Sequence, residues 1–299
     1  MTRINFKKAF SLIELSIVVL IIGILVAGIT QSSRLVSMMK IQSARSLTTN
    51  SPVASIKGLT IWLETSLDKN FATGSSGSYI ENPSPDNNAS IAQWNDVNPI
   101  SSYKFNAVQP NIAEQPIFID KAINNLPALR FSGNKSMAIT TPFFDEAFSI
   151  FMIVTRGSDV GWQCMISDII NSGTGELCAG KDATNTWTIY QPFTVGLATS
   201  LSTPLNTPVI FEVHSQGINS SNSASVNLYL NSTSSATRNM TGVVRGISGG
   251  IGRTIINGSG GDFWVGDISE IIVFKRMISN DERLDVEKYL AKKYAIKIT

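Results

Sequence analysis

The first thirty residues limit the chain more than any later stretch. They read MTRINFKKAFSLIELSIVVLIIGILVAGIT, a short basic leader and then an apolar run holding one acid, Glu14. From Leu15 to Ser33 no residue is charged. A helix rises ~1.5 Å per residue, so about 20 apolar residues cross the hydrocarbon of a bilayer. Arg3, Lys7 and Lys8 precede the run, which keeps the N-terminus cytoplasmic and sends the remainder across. A secretory signal has a shorter apolar core, about 7–15 residues, and ends at small residues. A plain signal anchor accounts for Leu15–Ile29 but gives Glu14 no purpose. An acid in a span is costly and marks function, unless it snorkels to the headgroups.

Residues 7–15, KKAFSLIEL, resemble the N-terminal motif of type IV prepilins and type II secretion pseudopilins. The resemblance implies that a prepilin peptidase cuts between Ala9 and Phe10 and that the new amine of Phe10 is methylated. Glu14 then becomes the fifth mature residue, where the family keeps a glutamate that pairs with the methylated amine of a neighbouring subunit. Gly23 falls where pilins commonly have a helix glycine. Ala9 departs from the usual glycine before the cut, and Gln31 stands where many major pilins have proline. The implied partners are other pilin or pseudopilin subunits, the peptidase and the inner membrane. The implied location is a single-pass protein with its C-terminal part periplasmic, later carried into a surface filament or pseudopilus.

Past the membrane, Leu35, Met38, Met39 and Ile41 recur at near-helical spacing. The Ser/Thr/Asn cluster ending at Pro52 reads as a linker. These signals divide the chain into a leader, 1–9, a pilin-type helix, 10–45, a linker, 46–57, and a domain, 58–299.

Composition narrows what that domain does. Removing the leader, with Arg3, Lys7 and Lys8, takes the net charge from +2 to −1, which gives no case for a nucleic-acid partner. His214 is the only histidine, which removes most metal and triad chemistry, and its strand-like surroundings make it a strand residue. Cys164 and Cys178 have only each other as partners. In an oxidising compartment they form a disulfide; the alternative is two buried thiols.

From Ile56 onward the pattern is all-β. Leu59–Leu63, Ala128–Phe131, Phe148–Thr155, Thr186–Tyr190, Val209–Val213, Val226–Leu230 and Ile268–Phe274 are rich in β-branched and aromatic residues and separated by turn-formers. Many short strands argue for a sandwich or jelly roll. The tail differs: Ser279 and Glu282 form a capping box ahead of a helix from Asp281 to Tyr294, with Lys292 and Lys293 suited to its dipole. The fold expected is thus a long membrane-spanning N-terminal α-helix, then an all-β jelly-roll sandwich with a C-terminal helix.

Residues 266–283 and 286–294, with 58–63, 93–96 and 126–131 upstream, resemble concanavalin A-like, laminin-G-like domains. The resemblance implies a two-sheet jelly roll but no single ligand; members bind glycans or proteins, cleave glycans, or act as spacers. Glycanases of this fold carry paired acids on one strand, and no such run occurs here. Asp267 and Glu270 are three apart on a strand, which sends them to opposite faces, so an enzyme is not expected. The run 246–252 is glycine-rich but lacks a following helix, and reads as a loop or bulge. Sugar sites use aromatic faces beside acids and amides. Trp94, Trp162, Trp187 and Trp264 are the candidates, with Asp96 and Asp262; core tryptophans would look the same. No cofactor is expected, although Asp96 and Asp262 are the acids a calcium ion would use, and calcium wants about 6–8 oxygens. The reading is a minor pilin or pseudopilin-like subunit that displays an adhesion or recognition domain. A membrane-anchored glycan or protein receptor and a tethered glycanase are its rivals.

Overall fold

The computed structural model describes residues 11–299 apart from 69, 76–77, 83–84, 140–146, 170–177, 191–196, 199–200, 220, 222, 235–236, 242–247 and 257–258. Ala9 and Phe10 lie outside the described residues. The chain divides into two compact units, 1–43 and 44–299. The first is built on α1, Leu12–Thr49, whose large apolar side chains are exposed from Leu12 to Met39, as Leu12, Leu20 and Ile29 show. It is long and apolar enough to cross a membrane. This matches the hydropathy pattern, since a helix with no polar face is made for lipid or for other helices.

The helix runs four residues beyond Arg45, into the stretch expected as a linker. The cause is packing. Ala44 and Thr48 are buried in the second unit, and tertiary burial overrides the weak helix propensity of the Ser/Thr cluster. A 3-10 turn, Pro52–Ser55, follows and buries Val53 completely. Residues 46–57 are therefore a packed junction.

The second unit is a sandwich of two antiparallel sheets. The first sheet runs in the order Thr233–Ser234, Ser223–Leu230, Pro208–Ile218, Phe148–Arg156, Gly266–Phe274, Leu126–Phe131, Ile117–Ile123, with Leu59–Glu64 also pairing on Gly266–Phe274 and Arg238–Thr241 on Ser223–Leu230. The second runs Leu197–Ala198, Trp187–Tyr190, Cys178–Lys181, Gln163–Ile169, Ser248–Ile251, Met137–Ile139, Ala107–Val108, Gln93–Trp94, Phe71–Ser75, Ser78–Glu81. Alternation along each strand sends one set of side chains inward. Ile61, Leu63, Leu129, Phe131, Ile150, Met152, Phe211, Val213, Leu228 and Ile271 from the first sheet meet Trp94, Met137, Ile139, Ile166, Trp187, Ile189 and Ile251 from the second in one core.

The seven expected strands are all present. The run 246–252, expected as a loop or bulge, instead holds the strand Ser248–Ile251, paired on both sides. Its glycines permit close approach: a Cβ on Gly250 would meet Arg253 O at 3.1 Å. α2, Asn280–Tyr294, starts with Ser279 as N-cap and a complete capping box with Glu282. It covers the outer face of the first sheet, where the Trp62 and Tyr289 rings meet edge to face at 6.4 Å and Arg283 stacks 4.2 Å from the Tyr229 ring. Lys293 does not sit at the helix end in solvent; it is 2% exposed and belongs to a buried charged cluster.

Candidate functional site

The first candidate is the start of α1. The Ser11 N–H donates to Glu14 Oε2 at 2.9 Å, and the Ile13 N–H reaches Ser11 Oγ at 3.4 Å. This is a capping-box arrangement: the acid satisfies an orphan donor at the helix N-terminus, where the dipole favours negative charge. Glu14 therefore has a local partner within its own helix. The side chains around it, Leu12, Ile13 and Leu15, are all exposed, so the surface that surrounds the acid is apolar and open.

The second candidate is the outer face of the second sheet. Cys164 and Cys178, on neighbouring strands with Cα atoms 5.8 Å apart, are joined in a disulfide. Tyr190 packs with them in a small satellite cluster. The Trp162 ring leans on Tyr190 at 4.7 Å, and the Tyr190 hydroxyl donates to Asp262 Oδ2 at 2.9 Å. The structure thus brings Trp162 and Asp262 to one place, with the disulfide beneath. Trp162 is 42% exposed, and Val160, two residues earlier, is 81% exposed. Their loop is held from below: the Lys181 ammonium donates to Gly161 O at 2.6 Å, and Gln163 Nε2 donates to Val160 O at 2.9 Å. Gly161 supplies the positive φ, +64°, that the turn requires.

The other candidates do not fit a ligand role. Trp94, Trp187 and Trp264 are fully buried, so no ring face is free to stack on a sugar. Trp94 Nε1 donates to Glu64 O, and Trp187 lies against Phe211 and Trp264 in the core. Asp96 is a structural acceptor for the N–H groups of Trp62, Asn98 and Phe105; burial nevertheless raises its carboxyl above the ordinary range. Asp96 and Asp262 are not brought together with a third ligand; among the described residues no group of three His, Cys, Asp or Glu side chains could hold a metal.

The acids of the closing strand also differ from expectation. A bulge between Ile268 and Glu270 shifts the register by one, so Asp267 and Glu270 share the outer face of the first sheet. They remain separately engaged. Asp267 takes a two-pronged ion pair from Arg130, at 2.7 and 2.9 Å. Glu270 accepts from Trp62 Nε1, Tyr289 and Tyr294 hydroxyls and Lys293 Nζ. Lys293 also reaches Glu64 and Thr48, so the last turn of α1, the first strand, the last strand and α2 meet in one buried cluster. Burial alone would raise the Glu64 carboxyl; Lys293 and the Ser66 and Leu67 donors outweigh it and hold it below its usual range. Burial and the nearby carboxylates push Tyr289 and Tyr294 well up.

A second buried cluster lies under α2. His214 Nδ1 is 2.8 Å from Ser149 Oγ, and its Nε2 is 3.2 Å from Glu212 Oε2. Burial and Arg283 push the imidazole down to about 3, so it is neutral. Glu287 accepts from Arg283 at 2.7 Å and from the Ser232 hydroxyl at 2.7 Å. Burial raises Glu212 to about 7, against the lowering effect of Glu287 and Arg283, and burial together with the hydrogen bond and charge of Glu212 raises Glu287 to about 8, so the pair holds a proton at neutral pH. Sequence reasoning missed both clusters. The signal available was four acids, Glu64, Glu212, Glu270 and Glu287, with Arg283 and Lys293, on strand and helix positions that should be apolar.

A polar cleft of about 420 Å³ opens at the turn between Pro208–Ile218 and Ser223–Leu230, lined by Gln216, Gly217, Asn219, Ser223, Ser225 and Asn239. Its lining is uncharged.

Comparison with known proteins agrees with this division. The prokaryotic N-terminal methylation motif matches residues 4–30. No curated protein matches the chain. Among solved structures, Trypanosoma rangeli sialidase in complex with the inhibitor DANA is similar at a TM-score of 0.50 and 16% identity, over 84% of this chain and 38% of that one. The CBM40 of Ruminococcus gnavus IT-sialidase bound to alpha2,3 sialyllactose gives 0.41 and 14%, over 48% of this chain and 84% of that one. Domain 4 of AbnA, an extracellular arabinanase from Geobacillus stearothermophilus, gives 0.43 and 13%, over 58% and 81%. The chain thus spans well under half of the sialidase, and identities this low speak to the fold alone. The class is set by two parts: a prepilin-type methylation segment at the N-terminus, and a two-sheet antiparallel sandwich behind it.

Proposed function

We propose that the chain is a minor pilin or pseudopilin-type subunit that displays its sandwich as a recognition domain. The observation that carries this reading is the methylation motif at residues 4–30 placed directly on an exposed apolar helix. After cleavage before Phe10, the helix holds the subunit in the inner membrane and then against neighbouring helices. Glu14 exchanges its contact with the Ser11 N–H for the methylated amine of a neighbour, which removes two charges from lipid together. A sandwich of 256 residues is bulky for a subunit repeated along a thin fibre, which favours a low-copy or tip position. Recognition is assigned to the Trp162, Val160 and Asp262 face, where an aromatic ring and a carboxylate stand together on a braced loop. The sandwich binds and does not hydrolyse, since its closing-strand acids are engaged in ion pairs and hydrogen bonds.

The test is recovery from sheared surface filaments or from a purified pseudopilus. The chain should appear in that fraction at low copy, and disappear from it when the prepilin peptidase is deleted. Retention solely in the inner membrane, with the peptidase active, would favour a fixed anchored receptor.

A further inference from the structure

Lys293 is a primary amine with no exposed side-chain surface, set against two equally enclosed carboxyl groups. Its Nζ lies 2.5 Å from Glu64 Oε1 and 2.9 Å from Glu270 Oε2. The donors around Glu64 divide between its two oxygens. Oε2 accepts from the Leu67 N–H at 2.8 Å and from Asn70 Nδ2 at 3.0 Å, while Oε1 faces Lys293 and Ser66. Glu270 is fixed by three neutral donors, Trp62 Nε1 and the Tyr289 and Tyr294 hydroxyls. The Tyr289 and Tyr294 rings stand 5.6 and 5.2 Å from Nζ and wall the site off. The cluster thus contains a nucleophile, an acyl carbon whose far oxygen is already held by two N–H donors, and a second carboxylate within reach of the amine protons.

We propose that Lys293 and Glu64 condense within the folded domain to an intramolecular amide cross-link, with Glu270 as the proton carrier. Nζ gives one proton to Glu270 Oε2, Glu270 passes it to Glu64 Oε1, and the freed lone pair of Nζ attacks Cδ of the neutral acid so formed. Oε2 carries the developing negative charge against Leu67 N–H and Asn70 Nδ2, an oxyanion-hole geometry. A second proton passes from Nζ to Oε1, and the Cδ–Oε1 bond breaks. One C–N bond forms, one C–O bond breaks and one water leaves. An ammonium and a carboxylate become an amide, no electrons change hands, and Glu270 ends as it began. Two physical terms favour the step. Holding the groups in contact replaces an encounter in solution, where effective molarities reach about 10⁵–10⁸ M. Condensation also removes an ion pair whose burial is costly.

The cross-link would join the first strand, Leu59–Glu64, to the last helix, Asn280–Tyr294, two elements that are neighbours only in space. Tension entering the sandwich at its first strand would then meet a covalent bond. This inference does not depend on the pilin reading, because it concerns only the second unit.

The experiment is mass spectrometry of the full chain purified in detergent, with the disulfide reduced. The intact mass should fall short by one water for whatever N-terminus is found. Trypsin, cutting after Lys57, Lys69, Lys292 and Lys297, should release residues 58–69 linked to residues 293–297. Glu270→Gln should give the full mass and the two peptides apart, with helix and strand content retained by circular dichroism. Lys293→Arg should also give the full mass. Separate peptides and full mass in the wild-type chain would overturn the proposal and leave a plain buried ion pair; that measurement needs no variant to fold. A linked peptide formed to the same extent in Glu270→Gln would overturn the part given to Glu270, and the same water loss in Lys293→Arg would place it elsewhere.

Discussion

Glu14 meets its charge locally, through the Ser11 N–H, and this sets what its substitution should do. Glu14→Gln keeps an acceptor for that donor, so insertion and cleavage should persist while incorporation into filaments falls. Coulomb attraction at ~4 Å is about 1 kcal/mol in water and several times larger at lower dielectric, so the loss should be visible in sheared fractions. Unchanged incorporation would mean that Glu14 only caps its own helix. The carboxyl pair under α2 gives a second residue-scale test. Folded Glu212 and Glu287 hold protons up to about 7 and about 8, whereas both release them near the ordinary 4.5 when unfolded. The folded state binds more protons in that window, so stability is full below pH 4.5 and declines as pH rises towards 8. His214, held near 3 against an ordinary 6.5, acts with the opposite sign and offsets part of the slope below pH 6.5. Glu287→Gln should flatten the decline between about pH 6.5 and pH 8 in urea unfolding; an unaltered slope would place the titration elsewhere. At this scale the sequence was least informative. Five tryptophans look alike in one dimension, and only packing tells that Trp162 is open while Trp62, Trp94, Trp187 and Trp264 are enclosed.

The elements were more legible, because their signals are local. The Ser279 and Glu282 spacing announced α2, and runs such as Phe148–Arg156 and Gly266–Phe274 announced the central strands. In the second sheet only Trp187–Tyr190 was announced; several of the others, such as Cys178–Lys181 and Ser248–Ile251, are short and carry small residues. Cys178–Lys181 includes Gly180, where a Cβ would lie 1.9 Å from Gln163 O. Gly180→Ala should therefore destabilise the sandwich by about 3 kcal/mol, read as a shift in the urea midpoint; a neutral effect would mean that the two strands can part. The boundary between helix and domain was misjudged for a related reason, since a Ser/Thr-rich stretch reads as linker until its partner surface is known. Thr48 Oγ1 accepts from Lys293 Nζ at 2.8 Å, so the sandwich includes the last turn of α1. A soluble domain that starts at Ala44 should be β-rich, monomeric and more stable to urea than one that starts at Gly58. Equal stability would show that the turn adds nothing.

The whole molecule joins a segment built for lipid to a sandwich built for water, and this division was visible in hydropathy alone. What hydropathy could not convey is how the sandwich is closed: its first strand, last strand, C-terminal helix and the end of α1 converge on Glu64, Glu270 and Lys293. The central claim is that the chain is processed and assembled as a pilin-type subunit. Mass spectrometry of the N-terminal peptide, from membranes with active prepilin peptidase, tests it most directly. The account predicts a mature chain that begins at N-methylated Phe10. An intact Met1, or a cut beyond Ile29, would contradict it.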